Sequence, residues 1–466
     1  MSIGEKISGN SILEKINPFF NPKSVVIIGA SRNEYTFNGI LLKNLLEIQY
    51  KGKIYIVHPY TDVVMGIPCV NNLKDLFNNG AKPELAIILT QKNLLETLKL
   101  LGEQKVKHIL IEVDFSQKLG NDEQIILDNS IKKIISDFDL KILGPSMIGL
   151  IDFQHFFTSS IIPTRSHIVL PNRKEKPQSG ASFMAQSGGL TGACGWWAPD
   201  QEIPLAKIIH IGKALDISEA DMLEYLFEDP NTEIILLYLK EITEDYITVL
   251  AKYKKKKPIL YKYVGKPSKT EQKFKELGAN PVENYIELFE FAKVFLWCPP
   301  PISNAVGIIG PSSGAINLII SEMRNQEIHL ANLKEENRRF IMENIGGSTC
   351  ELGNPVDYWP PKEFIGTQVC RVYHQASNTL LKDPQVSALF LALEFFTEIE
   401  FNFSIFETIK EKYPNKPILC VLIQAEREGG SRILEIGTKL KIPVFTNEIE
   451  RAVKSLRFLL DFYQIK

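Results

Sequence analysis

The 466-residue sequence has little cysteine, no long apolar run and almost no net charge, and each shortage removes a class of protein. Its six cysteines, Cys69, Cys194, Cys298, Cys350, Cys370 and Cys420, are scattered. They form no Cys-x-x-Cys pair and no Cys/His set spaced for zinc, so neither a disulfide framework nor a structural metal is expected, and a reducing, cytoplasmic setting is. No stretch reaches the roughly 18 apolar residues of a membrane span. The segment MSIGEKISGNSILEKINPFF has early acidic residues and no apolar core of signal-peptide length, so residues 1–17 read as an amphipathic leader. With 53 Lys and Arg against 55 Asp and Glu, the net charge of −2 offers no broad field for nucleic acid or an anionic membrane, and neither is an expected partner. Small ligands and other proteins are. The Lys254–Lys257 run reads as a solvated loop entering a strand.

What is present is a repeated alternation. Short Val/Ile-rich runs separated by segments of helical period are the pattern of parallel sheets with helices on both faces, and the length allows about three domains. The first set of strands is SVVIIGA (24–30), KIYIVHP (53–59), ELAIILT (84–90), HILIEVD (108–114) and LKILGPS (140–146). After the polar connector RKEKPQSG come ASFMAQ (181–186), AKIIHIG (206–212), TEIILLYL (232–239) and KPILYKYV (257–264). The prolines of WCPPPIS (297–303) mark a boundary, beyond which lie NAVGIIG (304–310), SALFLALEFF (387–396), KPILCVLI (416–423) and IPVFT (442–446). The expected fold is α/β, three doubly wound domains in series over 18–151, 152–298 and 303–466.

Where a strand ends in small residues and a helix begins, unpaired backbone N–H groups point into the turn and favour an anion. Gly29-Ala30-Ser31-Arg32 follows the first strand, without the full G-x-G-x-x-G pattern. Gln186-Ser187-Gly188-Gly189 is the stronger turn, with phosphate as its expected occupant and a tightly packed helix cap as the plain alternative. Glu47 has the spacing of a ribose-binding acid, but it lies inside a helical stretch, which weighs against a dinucleotide.

The order GASR, VHP, LGPSMIGL, AQSGGL, IGKALDISEADMLEYL, ILLYL and GNPVD resembles, over about residues 18–464, the α unit of the NDP-forming acyl-CoA synthetases, relatives of the succinyl-CoA synthetase α subunit. The resemblance implies a Rossmann-like CoA-binding domain followed by two flavodoxin-like, succinyl-CoA synthetase-like domains. It puts coenzyme A, or an acyl-CoA, against Gly29, Ala30, Ser31 and Arg32, with Val57, His58, Pro59, Thr90, Gln91, Gly144, Pro145 and Ser146 nearby. Gln91, Asp114 and Ser146 depart from the family's usual proline, glycine and asparagine; a carboxylate at Asp114 close to phosphate would be unfavourable. The family is an acid–thiol ligase. It moves phosphate through a histidine of the second domain to a separate ATP-grasp β subunit, through which alone nucleotide and Mg would enter, and an oligomer is expected.

The resemblance fails at the relay. No histidine occurs between His210 and His329, and the position of the orienting glutamate after ILLYL (235–239) is Lys240, with Glu241 next to it. The phosphohistidine relay is therefore expected to be lost, with His210 the only rescue candidate as phosphoryl carrier. His155 has no evident partner. Asp216, Glu219 and Asp221 are expected to serve the start of a helix rather than a metal, and Asp357 of Asn354-Pro355-Val356-Asp357 to cap or to meet a partner subunit. Whether the chain is an enzyme is left open between two readings: an α-like unit acting with a β chain in acid + CoA + NTP to acyl-CoA conversion, and a noncatalytic CoA- or acyl-CoA-binding regulatory or scaffold protein.

Overall fold

The structure, a computed structural model, describes residues 11–113, 120–164, 179–254, 256–345, 353–358, 366–394 and 401–465. Asp114 and the end of the 387–396 run lie outside them. The chain divides into two compact units, Met1–Tyr285 and Ile286–Lys466.

The first unit holds two sheets. Strands β1 (Ser24–Ile28), β2 (Lys53–Val57), β3 (Val63–Val64), β4 (Ile67–Val70), β5 (Leu85–Ile88), β6 (His108–Ile111) and β7 (Lys141–Leu143) form one, in the order β3-β4-β2-β1-β5-β6-β7. Every pairing is parallel except that of β3 with β4. Helices α1 (Ile12–Phe20) and α2 (Phe37–Glu47) cover one face. Helices α3 (Leu73–Asn78), α4 (Leu94–Glu103) and α5 (Asn121–Phe138) cover the other. The strands are near-continuous Val/Ile/Leu runs because both faces are buried.

The second sheet adds β8 (Gly149–Asp152), β9 (Phe157–Thr158), β10 (Gly180–Ala185), β11 (Leu205–His210), β12 (Thr232–Leu239), β13 (Ile259–Tyr263) and β14 (Ala279–Pro281), ordered β14-β13-β12-β10-β11-β8-β9. Its helices are α6 (Gly188–Asp200), α7 (Glu219–Glu228), α8 (Glu244–Lys252) and α9 (Lys269–Glu276). The strands β8 and β9 run antiparallel on its edge, so this sheet starts at Gly149, inside the stretch expected to belong to the first domain. Residues 12–20 are amphipathic, as expected, but they are anchored rather than a leader. Ile16, Phe19 and Phe20 are buried, Lys15 pairs with Asp221 at 2.9 Å, and Phe20 stacks on Tyr225.

Beneath the second sheet lies a buried ion cluster. The Lys207 ammonium, fully buried, meets Asp229 at 2.7 Å and Asp152 at 3.2 Å. Burial works against ionisation of Asp152, and the Lys207 charge together with the hydrogen bonds and charge of His155 more than offsets it, holding that carboxyl below its usual range. His155, expected to lack a partner, has Nδ1 at 3.1 Å from Asp152. In the lysine run Lys254 and Lys256 are exposed, as expected, but Lys257 at its end is not: its Nζ donates to the carbonyls of Leu226 and Asp229, and burial pulls its pKa down to about 8.

The second unit has β15 (Ala305–Gly310), β16 (His329–Leu330), β17 (Val356–Asp357), β18 (Ala388–Leu393), β19 (Ile418–Leu422) and β20 (Val444–Thr446), in the order β16-β15-β18-β19-β20 with β17 beside β15. All these pairings are parallel. Its helices are α10 (Glu287–Trp297), α11 (Ser313–Asn325), α12 (Glu335–Asn344), α13 (Gly366–Lys382), α14 (Phe406–Lys412), α15 (Arg427–Leu440) and α16 (Ile449–Phe462). The unit begins ahead of the Trp297–Ser303 segment taken as the boundary, because α10 belongs to it: Val294 and Cys298 join its core, and Arg451 bonds Glu290 at 2.7 Å.

Candidate functional site

In the first sheet the chain leaves β1 toward β2 on one side and returns to β5 on the other, so β1 and β5 flank the crevice where open parallel sheets receive ligands. A cleft of about 820 Å³ opens there. Its floor is the carboxyl ends of three strands: Gly29 and Ala30 after β1, Val57, His58 and Pro59 at the end of β2, and Thr90 after β5. Gly29 has φ +92, and a Cβ there would meet Thr90 Cβ at 3.1 Å, so glycine is required both by the backbone and by the neighbouring strand. Asn38 Nδ2 locks the turn by donating to the carbonyls of Gly29 at 2.7 Å and Leu89 at 3.0 Å. His58 Nδ1 accepts from the Tyr60 N–H, which puts the proton of the neutral ring on Nε2.

This brings together Gly29, Ala30, Val57, His58, Pro59 and Thr90 among the expected residues. Ser31, Arg32, Gln91, Gly144, Pro145, Ser146 and Glu47 are not among those lining the cleft. The helix after GASR starts only at Phe37, with Thr36 as its cap, so the turn is not itself a helix N-terminus. Ser31 Oγ instead accepts from the Asn33 N–H, shaping the intervening loop. That loop is held down where Gly39 passes it: a Cβ on Gly39 would lie 2.0 Å from the Asn33 carbonyl. Gly144 and Pro145 accept backbone bonds from Leu215 and Lys213, which ties them to the second sheet's loop. Missing from the sequence reading were Asn38, Tyr60, Lys74, Lys92 and the outer face of α4, which also line the cleft. A helical recurrence at Asn93, Glu96, Thr97, Leu100 and Glu103 was the available signal.

The second turn is a helix N-terminus. Ser187 caps α6, and a Cβ on Gly189 would meet nothing within 4 Å. The side chain before it, Gln186, is held by four hydrogen bonds: Oε1 accepts the N–H of Lys240 and of Glu241, and Nε2 donates to the Glu241 carbonyl and to Glu219 Oε2. Glu219 also accepts from Tyr246 at 3.0 Å, and burial, reinforced by Glu241, pushes its carboxyl above the usual range. Glu219 was expected only to serve its helix; it ties Gln186 of the turn to Tyr246 of α8 as well. Asp221 does close the α7 capping box with Ser218, and Asp216 accepts the Ile142 N–H at 2.7 Å. Among the described residues no group of three or more His, Cys, Asp or Glu side chains could hold a metal.

His210 lies beside this turn, 3.5 Å from where a Gly188 Cβ would stand. Its Nδ1 accepts the Ile148 N–H at 3.0 Å. Burial, with the charge of Lys240, lowers its pKa to about 4, so at neutral pH the ring is uncharged and its proton sits on Nε2. A phosphoryl carrier needs a free lone pair on one nitrogen and a carboxylate to take the charge on the other. Here the lone pair is used by a backbone donor, and the neighbouring charge is a cation.

A third turn of the same construction was missed. In the second unit Gly310 ends β15 and Ser312 caps α11; Ser312 Oγ accepts from Ala315 and donates to Glu394 at 2.6 Å. The sequence IGPSSGAIN carries the same small-residue signal as AQSGGL. Asn354 binds the sheet, accepting from Ile308 and donating to the carbonyls of Val306 and Ala331, while Asp357, left between a cap and a partner contact, ends β17 and is buried.

Two families match these regions. Residues 23–151 match the CoA binding domain and residues 178–276 the succinyl-CoA ligase like flavodoxin domain. An ADP-forming acetate–CoA ligase of Methanocaldococcus jannaschii is 30% identical over 357 residues, 72% of this chain and 48% of the relative, so the chain spans about half the length of that protein. The α subunit of ADP-forming acetate–CoA ligase I of Pyrococcus furiosus is 24% identical over 97% of this chain and 98% of its own length. The chain belongs with the α units of the ADP-forming acyl-CoA synthetases. The fold agrees: a Pyrococcus horikoshii crystal structure superposes on this α-like chain with a TM-score of 0.81 at 24% identity, covering 96% of this chain and 100% of the other. The apo dinucleotide-forming acetyl-coenzyme A synthetase 1 of Ca. Korarchaeum cryptofilum gives the same TM-score at 21% identity.

Proposed function

We propose that this chain is a CoA- or acyl-CoA-binding α-like unit of the acyl-CoA synthetase family, acting with a separate ATP-grasp β chain in the conversion of acid, CoA and NTP to acyl-CoA, with the phosphohistidine relay absent. The observation that carries CoA binding is the cleft at the β1–β5 crevice, where Gly29 bares the backbone to a phosphate and His58, Pro59 and Thr90 complete the floor. Nucleotide and Mg would enter only through the β chain. The relay reading rests on His210, whose Nδ1 is taken by Ile148, and on Lys240 at the place of an orienting carboxylate.

The Gln186-Ser187-Gly188-Gly189 turn would then hold phosphate or an acyl phosphate transiently, by its backbone donors, rather than stabilise a phosphorylated side chain. The same orientation of His210 favours the second reading, a CoA-binding regulatory or scaffold chain without turnover. Calorimetry with CoA, followed by incubation with labelled ATP and an ATP-grasp β chain, separates these. The expected result is CoA binding without acid-labile label on the chain; acyl-CoA formation then selects the first reading and its absence the second. A phosphohistidine at His210 would overturn both.

A further inference from the structure

The cleft has two polar features, and only the strand-end turn has been used. The other is cationic. Lys74, in the first turn of α3, and Lys92, in the loop before α4, both line the cleft, although they are 18 residues apart and converge only because α3 and α4 pack on one face of the sheet. Neither ammonium forms an ion pair or a hydrogen bond with another described residue. The acid adjacent to Lys74, Asp75, is instead turned to Asn72, whose side chain donates to it at 2.7 Å. The remaining lysine of the wall, Lys99, stands on α4 with two acids of the same wall, Glu96 and Glu103, three and four residues away. In a chain with a net charge of −2, two uncompensated cations on a cleft wall mark that wall for an anion.

We infer that Lys74 and Lys92 clamp a phosphate monoester at the α3–α4 wall and that, on the CoA reading of the cleft, this group is the 3′-phosphate that distinguishes CoA from dephospho-CoA. A ligand with two separate phosphate groups matches a cleft with two separate anion features. The diphosphate lies on the glycine turn, where the backbone permits close approach, and the dianionic monoester meets lysines, which act on phosphate as point charges. The clamp sets which nucleotide is accepted without touching the thiol end.

The test is calorimetric titration of the full chain with CoA and with dephospho-CoA, in wild type and in the Lys74→Ala/Lys92→Ala double variant, at low and at physiological salt. Two exposed lysine–phosphate contacts predict a preference for CoA on the order of tenfold, shrinking as salt rises. In the double variant the preference should fall to about one while dephospho-CoA binds as before, which also shows that the variant is folded. A Lys74→Arg/Lys92→Arg variant should keep the preference. Equal wild-type affinities, or a preference that survives the double alanine substitution, would overturn the clamp and leave the CoA reading intact. Binding of neither nucleotide by the wild type would overturn the CoA reading and the clamp with it.

Discussion

The two strand-end turns of the first unit start from the same plan, a strand ending in small residues, and end differently. After β1 the chain goes through a loop before its helix, and the space above Gly29 stays open as a cleft. After β10 the helix starts at once, and Gln186, itself held by Glu219 and through it by Tyr246, fastens the turn to the Lys240–Glu241 loop. The first arrangement suits a ligand that stays and is recognised along its length. The second suits a rigid donor array for a small group that comes and goes.

The comparison can be broken most severely from below the second turn. Lys207→Ala leaves Asp152 and Asp229 buried without their cation and should cost about 3–5 kcal/mol in urea unfolding; a loss under about 1 kcal/mol would show that the cluster is hydrated and unimportant to the sheet. Gln186→Ala should cost about 0.5–1.5 kcal/mol, since it strips partners from the exposed Lys240 and Glu241 amides and from half-buried Glu219, and it should loosen hydrogen exchange in the 240–242 loop without reaching the first sheet.

A pH-dependent contrast comes next. Both oxygens of Glu112, at the end of β6, are buried without a hydrogen-bond partner, and burial raises its pKa well above the ordinary value. A raised carboxyl pKa stabilises nothing above it: the native state keeps the proton that the unfolded chain gives up, so stability falls as pH rises from the ordinary carboxyl range toward the raised value. Glu112→Met should therefore gain stability over wild type at pH 8 and lose that gain toward pH 4. A difference independent of pH would mean that Glu112 is not the group responsible. The smallest effect is spectroscopic. His210, with its pKa lowered to about 4, should show no imidazole titration by NMR between pH 8 and about 5.5, and stability should fall as pH drops from about 6.5, where the unfolded chain takes up the proton, to about 4, where the native ring takes it too. A midpoint near 6.5 would place Lys240 and the burying side chains elsewhere.

The parts of this fold that were legible in sequence are those decided by local pattern. The runs SVVII and TEIILLYL are buried on both faces and read as strands without knowledge of their neighbours. The antiparallel edge strands β8 and β9 were not legible, because GLID and FT are short and carry no alternation of their own. The glycine turn after β1 does not open α2 directly, because Asn33 and Thr36 build a capped loop between them that a glycine-turn reading passes over. In the cleft, the glycine turn and the VHP segment could be read because each lies in one stretch. Lys74, Lys92 and Asn38 come from three segments, and only the packing of α2, α3 and α4 brings them to one place. Glu219 was hidden in the same way: its partners Gln186 and Tyr246 are 33 and 27 residues away.

The central claim is that the ligand site is the first cleft and that the second turn serves a different, smaller group. CoA titration of wild type beside Gly29→Ala and Gln186→Ala tests this directly. A side chain at Gly29 has φ +92 to contend with and would press on Thr90, so CoA affinity should drop by about tenfold or more, while Gln186→Ala should bind CoA as wild type does. Loss of CoA binding in Gln186→Ala with Gly29→Ala unaffected would contradict the account.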